Sequence, residues 1–147
     1  MARVSIYLNF MGNTEEAFNF YRQVFKKDYI SPIQYMRDVP GSNVPDDEKD
    51  SVMHVELPIL AGTVLMGTDM LKSMGHELRP GNNVTINLEP DTLEETQRLF
   101  DALSEGSSES TPLDKMFWGA YWGTCLDKFG TRWMFNWYMP EENSAKQ

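Results

Sequence analysis

Apolar and polar residues alternate along several short stretches of the chain, which is the period of a β-strand with one buried face. The clearest stretches are residues 4–10, 51–60 and 84–88, where the alternation favours apolar side chains at every second position. In the second of these stretches, the alternation predicts Met53, Val55 and Leu57 on the face that packs on a helix. Weaker or shorter patterns of the same kind predict five further strands, over residues 29–36, 63–67, 114–119, 121–126 and 131–138.

Two other stretches have the spacing of an amphipathic helix. The first begins at Asn13 and the second at Asp91 or Thr92, and each has a glutamate three residues later. This spacing predicts a capping box, in which two side chains bond the free backbone N–H groups of the first turn. The apolar residues of the two helices repeat at a constant offset: Phe20, Tyr21 and Val24, then Leu99, Phe100 and Leu103.

The order strand–helix–strand–strand–strand therefore occurs twice, and internal repetition of this kind indicates one fold built from two modules. We predict an α+β fold in which two βαβββ modules form a curved, cup-shaped mixed sheet. A single domain would cover residues 1–147. It would comprise module one at about 1–70, a connector at about 71–82, module two at about 83–139 and a polar tail at 140–147.

The composition narrows the classes of partner. A formal net charge of −9, with no basic stripe, disfavours nucleic acids and anionic membranes. No apolar run resembles a secretion signal or a membrane span, and Cys125 is the single cysteine, so a cytoplasmic location is expected. Ten methionines and four tryptophans suit adaptable apolar pockets or interfaces, although plain core filling is the alternative.

Few side chains offer catalytic chemistry. His54 and Glu56 fall on the strand face opposite the helix, where His54 could act as a general base or a ligand partner. A purely structural histidine is the alternative. Trp118, Tyr121 and Trp122 form an aromatic cluster that predicts either a stacking wall for a ligand or a packing seam. Cys125 lies in a predicted strand, which favours a buried and unreactive thiol.

Several separated segments resemble one family. They are LNFMGNTEEAFNFY at 8–21, HVEL at 54–57, GTD at 67–69, FWG and YWG at 117–123, and DKFG at 127–130, followed by Trp133 and Asn136. Together they resemble the PhnB-like branch of the vicinal-oxygen-chelate superfamily (glyoxalase, bleomycin-resistance and dioxygenase proteins). The branch is often labelled 3-demethylubiquinone-9 3-methyltransferase-like. However, no glycine-rich nucleotide loop follows a strand, and the chain is short for the usual methyl-donor fold.

The resemblance implies an open cup for a small molecule, a homodimer and, in many members, a divalent metal held by four strand residues. The corresponding positions here fall at Met66 and Met134, near Ser5 or Tyr7, and near Thr85. None is a good ligand for a hard or borderline divalent metal. No cofactor is therefore predicted, and a divalent metal is disfavoured.

Two functions follow from this resemblance. The first is a metal-independent binding protein for a small apolar or aromatic molecule, similar to the bleomycin-resistance members. The alternative is an enzyme of the same superfamily, a lyase or isomerase, that depends on a metal or uses His54 as acid and base. Side-chain parity and the resemblance give the predicted ligand-binding set as Tyr7, Asn9, His54, Glu56, Met66, Asn87, Trp118, Trp122 and Met134.

Overall fold

The computed structural model describes residues 1–141. The chain forms two compact units, Met1–Pro80 and Gly81–Gln147. Each unit contains a four-stranded mixed sheet and one α-helix. Within the described part of the chain, no helix combines the length and the apolar character that crossing a membrane requires.

The first unit follows the order predicted from the sequence. Its elements are β1 (Ile6–Phe10), α1 (Thr14–Phe25), β2 (Gln34–Tyr35), β3 (Val52–Pro58) and β4 (Val64–Asp69). The strands lie in the spatial order β1-β4-β3-β2, with β1 parallel to β4 and the other neighbours antiparallel.

The second unit repeats this arrangement. Its elements are β5 (Ile86–Leu88), α2 (Leu93–Leu103), β6 (Glu109–Lys115), β7 (Ala120–Leu126) and β8 (Arg132–Tyr138). The order is β5-β8-β7-β6, again with one parallel pair, β5 and β8. The predicted α+β class and the two βαβββ modules are therefore confirmed. The division into one domain with a connector and a tail stays a prediction, and residues 142–147 lie outside the described part.

Each helix covers one face of its own sheet and buries the apolar side chains there. In the first unit, α1 packs against β3 and β4. Gly67 makes this close packing possible, because a Cβ atom added there would lie 2.5 Å from a ring carbon of Phe18. In the second unit, Trp133 and Phe135 are fully buried together with Leu99 and Leu103 of α2.

The start of α1 differs from the predicted capping box. The side chain of Asn13 makes no capping hydrogen bond. Instead, one carboxylate oxygen of Asp69 accepts hydrogen bonds from the backbone N–H groups of Gly12 and Thr14 and from the Thr14 hydroxyl. The end of β4 places this buried charged acceptor beside the helix, and a carboxylate satisfies several helix N–H groups better than a local amide does.

The start of α2 agrees with one of the two predicted caps. The Thr92 hydroxyl accepts a hydrogen bond of 3.1 Å from the backbone N–H of Glu95. The Glu95 carboxylate binds the Arg98 guanidinium, with a shortest distance of 2.6 Å. Thr92 is therefore the capping residue of this helix.

Three predicted strands have different bounds. Of residues 29–36, only Gln34–Tyr35 form a strand, because Pro32 cannot donate to a ladder and a 3-10 turn begins at Met36. The strand predicted at 114–119 instead covers Glu109–Lys115, and the chain turns over the next four residues. Its mostly exposed side chains produce no alternation. Val84 is exposed and precedes β5.

Candidate functional site

The face of the first sheet opposite α1 carries five of the predicted ligand-binding residues. Tyr7 of β1 and Glu56 of β3 both pair with Met66 of β4, so the three form one row across the sheet. Asn9 pairs with Thr68 in the next row. His54 lies on β3 beside these rows, and its ring contacts Tyr7. The structure thus brings Tyr7, Asn9, His54, Glu56 and Met66 together.

Hydrogen bonds connect three of these side chains. The Tyr7 hydroxyl lies 2.9 Å from Nδ1 of His54, and Nε2 of His54 lies 3.1 Å from an oxygen of Glu56. An ionised carboxylate only accepts, so Nε2 of a neutral His54 donates to Glu56. Nδ1 then has a free lone pair, and the Tyr7 O–H donates to it. We call Tyr7, His54 and Glu56 the relay.

The relay is partly accessible to solvent. The side chains of His54 and Glu56 are 27% and 24% exposed. Burial raises the pKa of the Tyr7 phenol, and the charge of Glu56 raises it further, although a hydrogen bond with Thr68 acts in the opposite direction. The phenol therefore stays protonated at neutral pH and serves as a donor. Arg3 approaches the other oxygen of Glu56 at 4.0 Å.

Beside the relay, the first unit contains a cavity of about 590 Å³. Strand residues Asn9, Met53 and Thr68 line one side of it. Residues 39–44 and 69–76 supply most of the remaining lining. Four methionines contribute to the lining: Met36, Met53, Met70 and Met74. Of the predicted ligand-binding residues, only Asn9 lines this cavity.

Met53 corrects one prediction about side-chain direction. The alternation of β3 placed Met53 on the helix face with Val55 and Leu57. In the structure Val52 is buried, whereas Met53 is half-buried and lines the cavity. The pairing with β2 shifts register between Gln34 and Tyr35, and such an irregularity changes the face of the neighbouring side chains.

Two segments around the cavity are joined to each other. The carboxylate of Glu48, in the loop before β3, accepts hydrogen bonds from the backbone N–H of Ser73, at 3.0 Å, and from the Ser73 hydroxyl. Ser73 belongs to the short 3-10 turn Lys72–Met74 that follows β4. The loop before β3 is therefore attached to the segment that follows β4, beside the cavity.

His76 also lines the cavity and is held at the end of this segment. Its Nδ1 accepts a hydrogen bond of 2.9 Å from the backbone N–H of Leu71. The backbone N–H of His76 donates to the Leu71 carbonyl at 3.2 Å. The bond to Nδ1 orients the imidazole ring, and the backbone bond holds the main chain of His76 beside Leu71. The sequence marked His76 only as part of the connector, so its place beside the cavity was missed.

The second sheet carries three further predicted residues on the face opposite α2. Asn87 of β5 pairs with Met134 of β8, and Trp122 of β7 pairs with Asn136. The Asn136 amide donates a 2.7 Å hydrogen bond to the side-chain oxygen of Asn87. Asn87 in turn donates to Glu89 at 2.7 Å. These amides form a short polar row beside Met134.

The predicted aromatic cluster divides between two faces. Trp118 lies in the turn before β7, and its ring meets Trp122 edge to face with centroids 6.5 Å apart. Tyr121 has the opposite parity and packs against Trp137 at 6.1 Å. Phe117 is 97% exposed and contacts Trp118. The accessible aromatic group is therefore Phe117, Trp118 and Trp122, and Tyr121 is not part of it.

Cys125 is buried on β7, as its position predicted. Burial raises the pKa of its thiol to about 11, because the thiolate would lose its hydration. A thiol with that pKa is almost wholly protonated at neutral pH, and the thiolate is the nucleophilic form.

A family model described as 3-demethylubiquinone-9 3-methyltransferase matches residues 2–135. The chain belongs to this family. The match begins before β1, ends within β8 and includes nearly all of the segments that carry the resemblance, so the PhnB-like assignment is confirmed. The word methyltransferase is part of the family's description and is not evidence of that activity in this chain.

Known relatives agree with this assignment. Protein YjdN of Escherichia coli (strain K12) is 28% identical over 142 residues, which cover 90% of this chain and 93% of that protein. The crystal structure of PA1353 from Pseudomonas aeruginosa matches with a TM-score of 0.81 and 33% identity, covering 95% of this chain and 100% of the other. A PhnB protein from Bacillus cereus matches with a TM-score of 0.73, 23% identity and coverages of 92% and 99%.

The fold extends to the wider superfamily. A glyoxalase/bleomycin resistance protein/dioxygenase family enzyme from Burkholderia phytofirmans PsJN matches with a TM-score of 0.59 and 19% identity, covering 90% of this chain and 97% of that one. At that identity the likeness shows the fold alone. It confirms that this PhnB-like chain has the architecture of the vicinal-oxygen-chelate proteins.

The strand positions that hold a metal in many superfamily members do not suit one in this PhnB-like chain. Met66 stands between Tyr7 and Glu56, and Met134 stands beside Asn87. A thioether is a poor ligand for a hard divalent cation, and Glu56 is hydrogen-bonded to His54. Among residues 1–141, no three His, Cys, Asp or Glu side chains come close enough to hold a metal ion together.

Proposed function

We propose that this PhnB-like protein binds a small, mainly apolar molecule in the cavity of its first unit, without a superfamily-type metal. The observation that carries the proposal is the cavity itself. Its volume of about 590 Å³ lies within the usual range for small-molecule sites. Its methionine-rich lining offers flexible, polarisable side chains that adapt to the shape of an apolar ligand.

The lining also indicates the charge of the ligand. None of the described residues that line the cavity is Lys or Arg. Asp69 does line it, but its two oxygens already accept hydrogen bonds from Gly12, Thr14 and Val52. A ligand carboxylate would therefore lose its hydration without gaining a cationic partner. An uncharged molecule fits the site best.

Buried area sets the concentration at which binding should be sought. A ligand that buries about 200 Å² of apolar surface gains roughly 5 kcal/mol before the cost of association, so this contribution alone supports a Kd no tighter than roughly 0.2 mM. A thermal-shift screen of uncharged aromatic compounds at millimolar concentration should therefore raise Tm for some of them.

Two matched variants test whether the cavity is the site. Met53→Trp fills the cavity and should abolish the ligand-induced rise in Tm. Met139→Trp changes a half-buried methionine outside the cavity lining and should preserve it. If both variants keep the same shift, the ligand binds elsewhere. If a broad panel gives no shift with the unaltered protein, the proposal is wrong.

The relay favours a second candidate function, that of a metal-free acid–base enzyme. Glu56 would stabilise a protonated His54, and Tyr7 would donate a proton or a hydrogen bond to the substrate. Tyr7 and Asn9 occupy the same face of β1, and Thr68 bonds to Tyr7 and also lines the cavity. Activity that survives EDTA and disappears in His54→Ala would support this function, whereas activity that requires an added metal would contradict it.

For the assembly, we propose a cytoplasmic homodimer, as the superfamily resemblance implies. The exposed aromatic residues Phe117 and Trp118 contact each other and form a contiguous apolar patch, and such patches mark interaction surfaces. Light scattering at working concentration should give twice the chain mass of 17.0 kDa. A strictly monomeric mass would contradict the dimer.

A further inference from the structure

We infer that His76 is a ligand-binding residue whose Nε2–H donates a hydrogen bond to an acceptor oxygen of the molecule in the cavity. This inference rests on the proposed function of the same cavity and names the ligand class more narrowly. The ligand would be an uncharged apolar molecule that carries a carbonyl or similar acceptor oxygen.

The tautomer of His76 follows from its hydrogen bonds. The backbone N–H of Leu71 donates to Nδ1 at 2.9 Å, so Nδ1 must offer a lone pair. The single ring proton of the neutral imidazole therefore resides on Nε2. The backbone bond from His76 to the Leu71 carbonyl, at 3.2 Å, holds the same residue from the other side. The ring is thus oriented before any ligand arrives.

Nε2 of His76 is available for a ligand. Among residues 1–141, none accepts a hydrogen bond from it, although the residue lines the cavity. The neighbouring 3-10 turn is attached to Glu48 through Ser73, which limits movement of the segment that carries His76. A donor held in place on an otherwise methionine-rich wall gives a ligand orientation at little cost in entropy.

The geometry favours an uncharged acceptor group on the ligand over an anionic one. A neutral imidazole N–H gives one ordinary hydrogen bond, and the lining supplies no cationic side chain that would offset the desolvation of a carboxylate or phosphate. The amide of Asn9 lines the same cavity and offers a second polar contact. The lining as a whole therefore suits an apolar skeleton with one or two acceptor atoms.

Two nearly isosteric probes test the donor. 2-Acetylnaphthalene has a carbonyl oxygen where 2-ethylnaphthalene has two hydrogen atoms. The quantity to compare is the ratio of their Kd values, because the ratio removes most of the common hydrophobic contribution. One hydrogen bond should change this ratio by about three- to tenfold between the unaltered protein and His76→Phe, which retains a ring without a donor.

A second variant and a spectroscopic measurement guard against misfolding. His76→Gln can still accept from Leu71 and donate to a ligand, so it should keep most of the preference for the acetyl probe. In the unaltered protein, the ¹⁵N signals of His76 should show the Nε2–H tautomer. The Nε2 signal should shift when 2-acetylnaphthalene binds and not when 2-ethylnaphthalene binds.

The outcomes separate this inference from the proposed function. If both probes bind the unaltered protein and His76→Phe leaves their ratio unchanged, the donor role of His76 is wrong and the cavity still binds apolar molecules. If neither probe binds up to its solubility limit, the inference is wrong, and a broad panel that also gives no thermal shift shows that the proposed function is wrong with it. An Nδ1–H tautomer in the free protein would also overturn the inference.

Discussion

Tyr7 and His54 are joined by a 2.9 Å contact between the Tyr7 hydroxyl and Nδ1 of His54, across the strand that separates their own strands. β4 lies between β1 and β3, and Met66 of β4 stands in the row with Tyr7 and Glu56. Removing the Tyr7 hydroxyl should therefore change the tautomer of His54 without changing the fold.

Tyr7→Phe tests this relationship. We expect the preference of His54 for the Nε2–H tautomer to weaken, because Nδ1 no longer accepts a hydrogen bond and only the bond to Glu56 still favours a proton on Nε2. The ¹⁵N signals of His54 should shift, and the free energy of unfolding should fall by about 0.5–1.5 kcal/mol. Tyr138→Phe, at an exposed tyrosine outside the relay, should leave the His54 signals unchanged.

Asp69 is expected to be among the most sensitive polar residues of the first unit. Asp69→Ala leaves the N–H groups of Gly12, Thr14 and Val52 without their acceptor in a buried place. The free energy of unfolding should fall by about 3–5 kcal/mol. Urea unfolding measures this loss. As a control, Asp101→Ala, on the exposed side of α2, should change the free energy of unfolding by less than about 0.5 kcal/mol. An equal loss in both variants would contradict the role of Asp69 as a buried acceptor.

Gly67 should tolerate no side chain. Gly67→Ala places a methyl group 2.5 Å from the Phe18 ring, so α1 must move away from β4 or the ring must rotate. Overpacking of this kind costs about 1–3 kcal/mol of unfolding free energy. Gly81→Ala is the matched control, because a Cβ there would meet only the side-chain oxygen of Asn83, at 3.4 Å. Thermal unfolding of the two variants should differ clearly.

Cys125 should make stability depend on pH in the alkaline range. Its pKa is raised from 9.0 to about 11 by burial, so the folded state holds the proton more tightly than the unfolded chain does. The resulting stabilisation is present below pH 9 and is lost as the pH rises towards 11. Cys125→Ala should remove this part of the pH dependence. In the native protein, a thiol reagent at pH 8 should react slowly until urea unfolds the chain.

Much of the fold could be predicted because its strands are half-buried. In β3, β7 and β8 one face packs on a helix and the other does not, so alternation appears in the sequence. β6 was misplaced because its side chains are mostly exposed and leave no alternation to detect. The cap of α1 was wrong because Asp69 lies 55 residues from Thr14 in the sequence, and local spacing cannot indicate such a partner.

The candidate site could be predicted only in part. Parity correctly placed Tyr7, Glu56 and Met66 on one face, because β1, β3 and β4 pair regularly there. The cavity was missed because irregular segments supply much of its lining. The sequence around His76 and in the 39–44 loop has no periodic pattern of apolar and polar residues. Met53 was assigned to the wrong face, since a register shift in the pairing with β2 is invisible in the alternation of β3.

The most direct test of the central claim is a titration of methyl-¹³C-methionine-labelled protein with 2-acetylnaphthalene, followed by NMR. The ten methionines report on the cavity and on the rest of the chain in one experiment. If the cavity of the first unit is the binding site, the methyl signals of Met36, Met53, Met70 and Met74 should shift and saturate together, while those of Met116, Met134 and Met139 stay in place. Shifts confined to Met116 or Met134, with the four cavity methionines unchanged, would contradict the account.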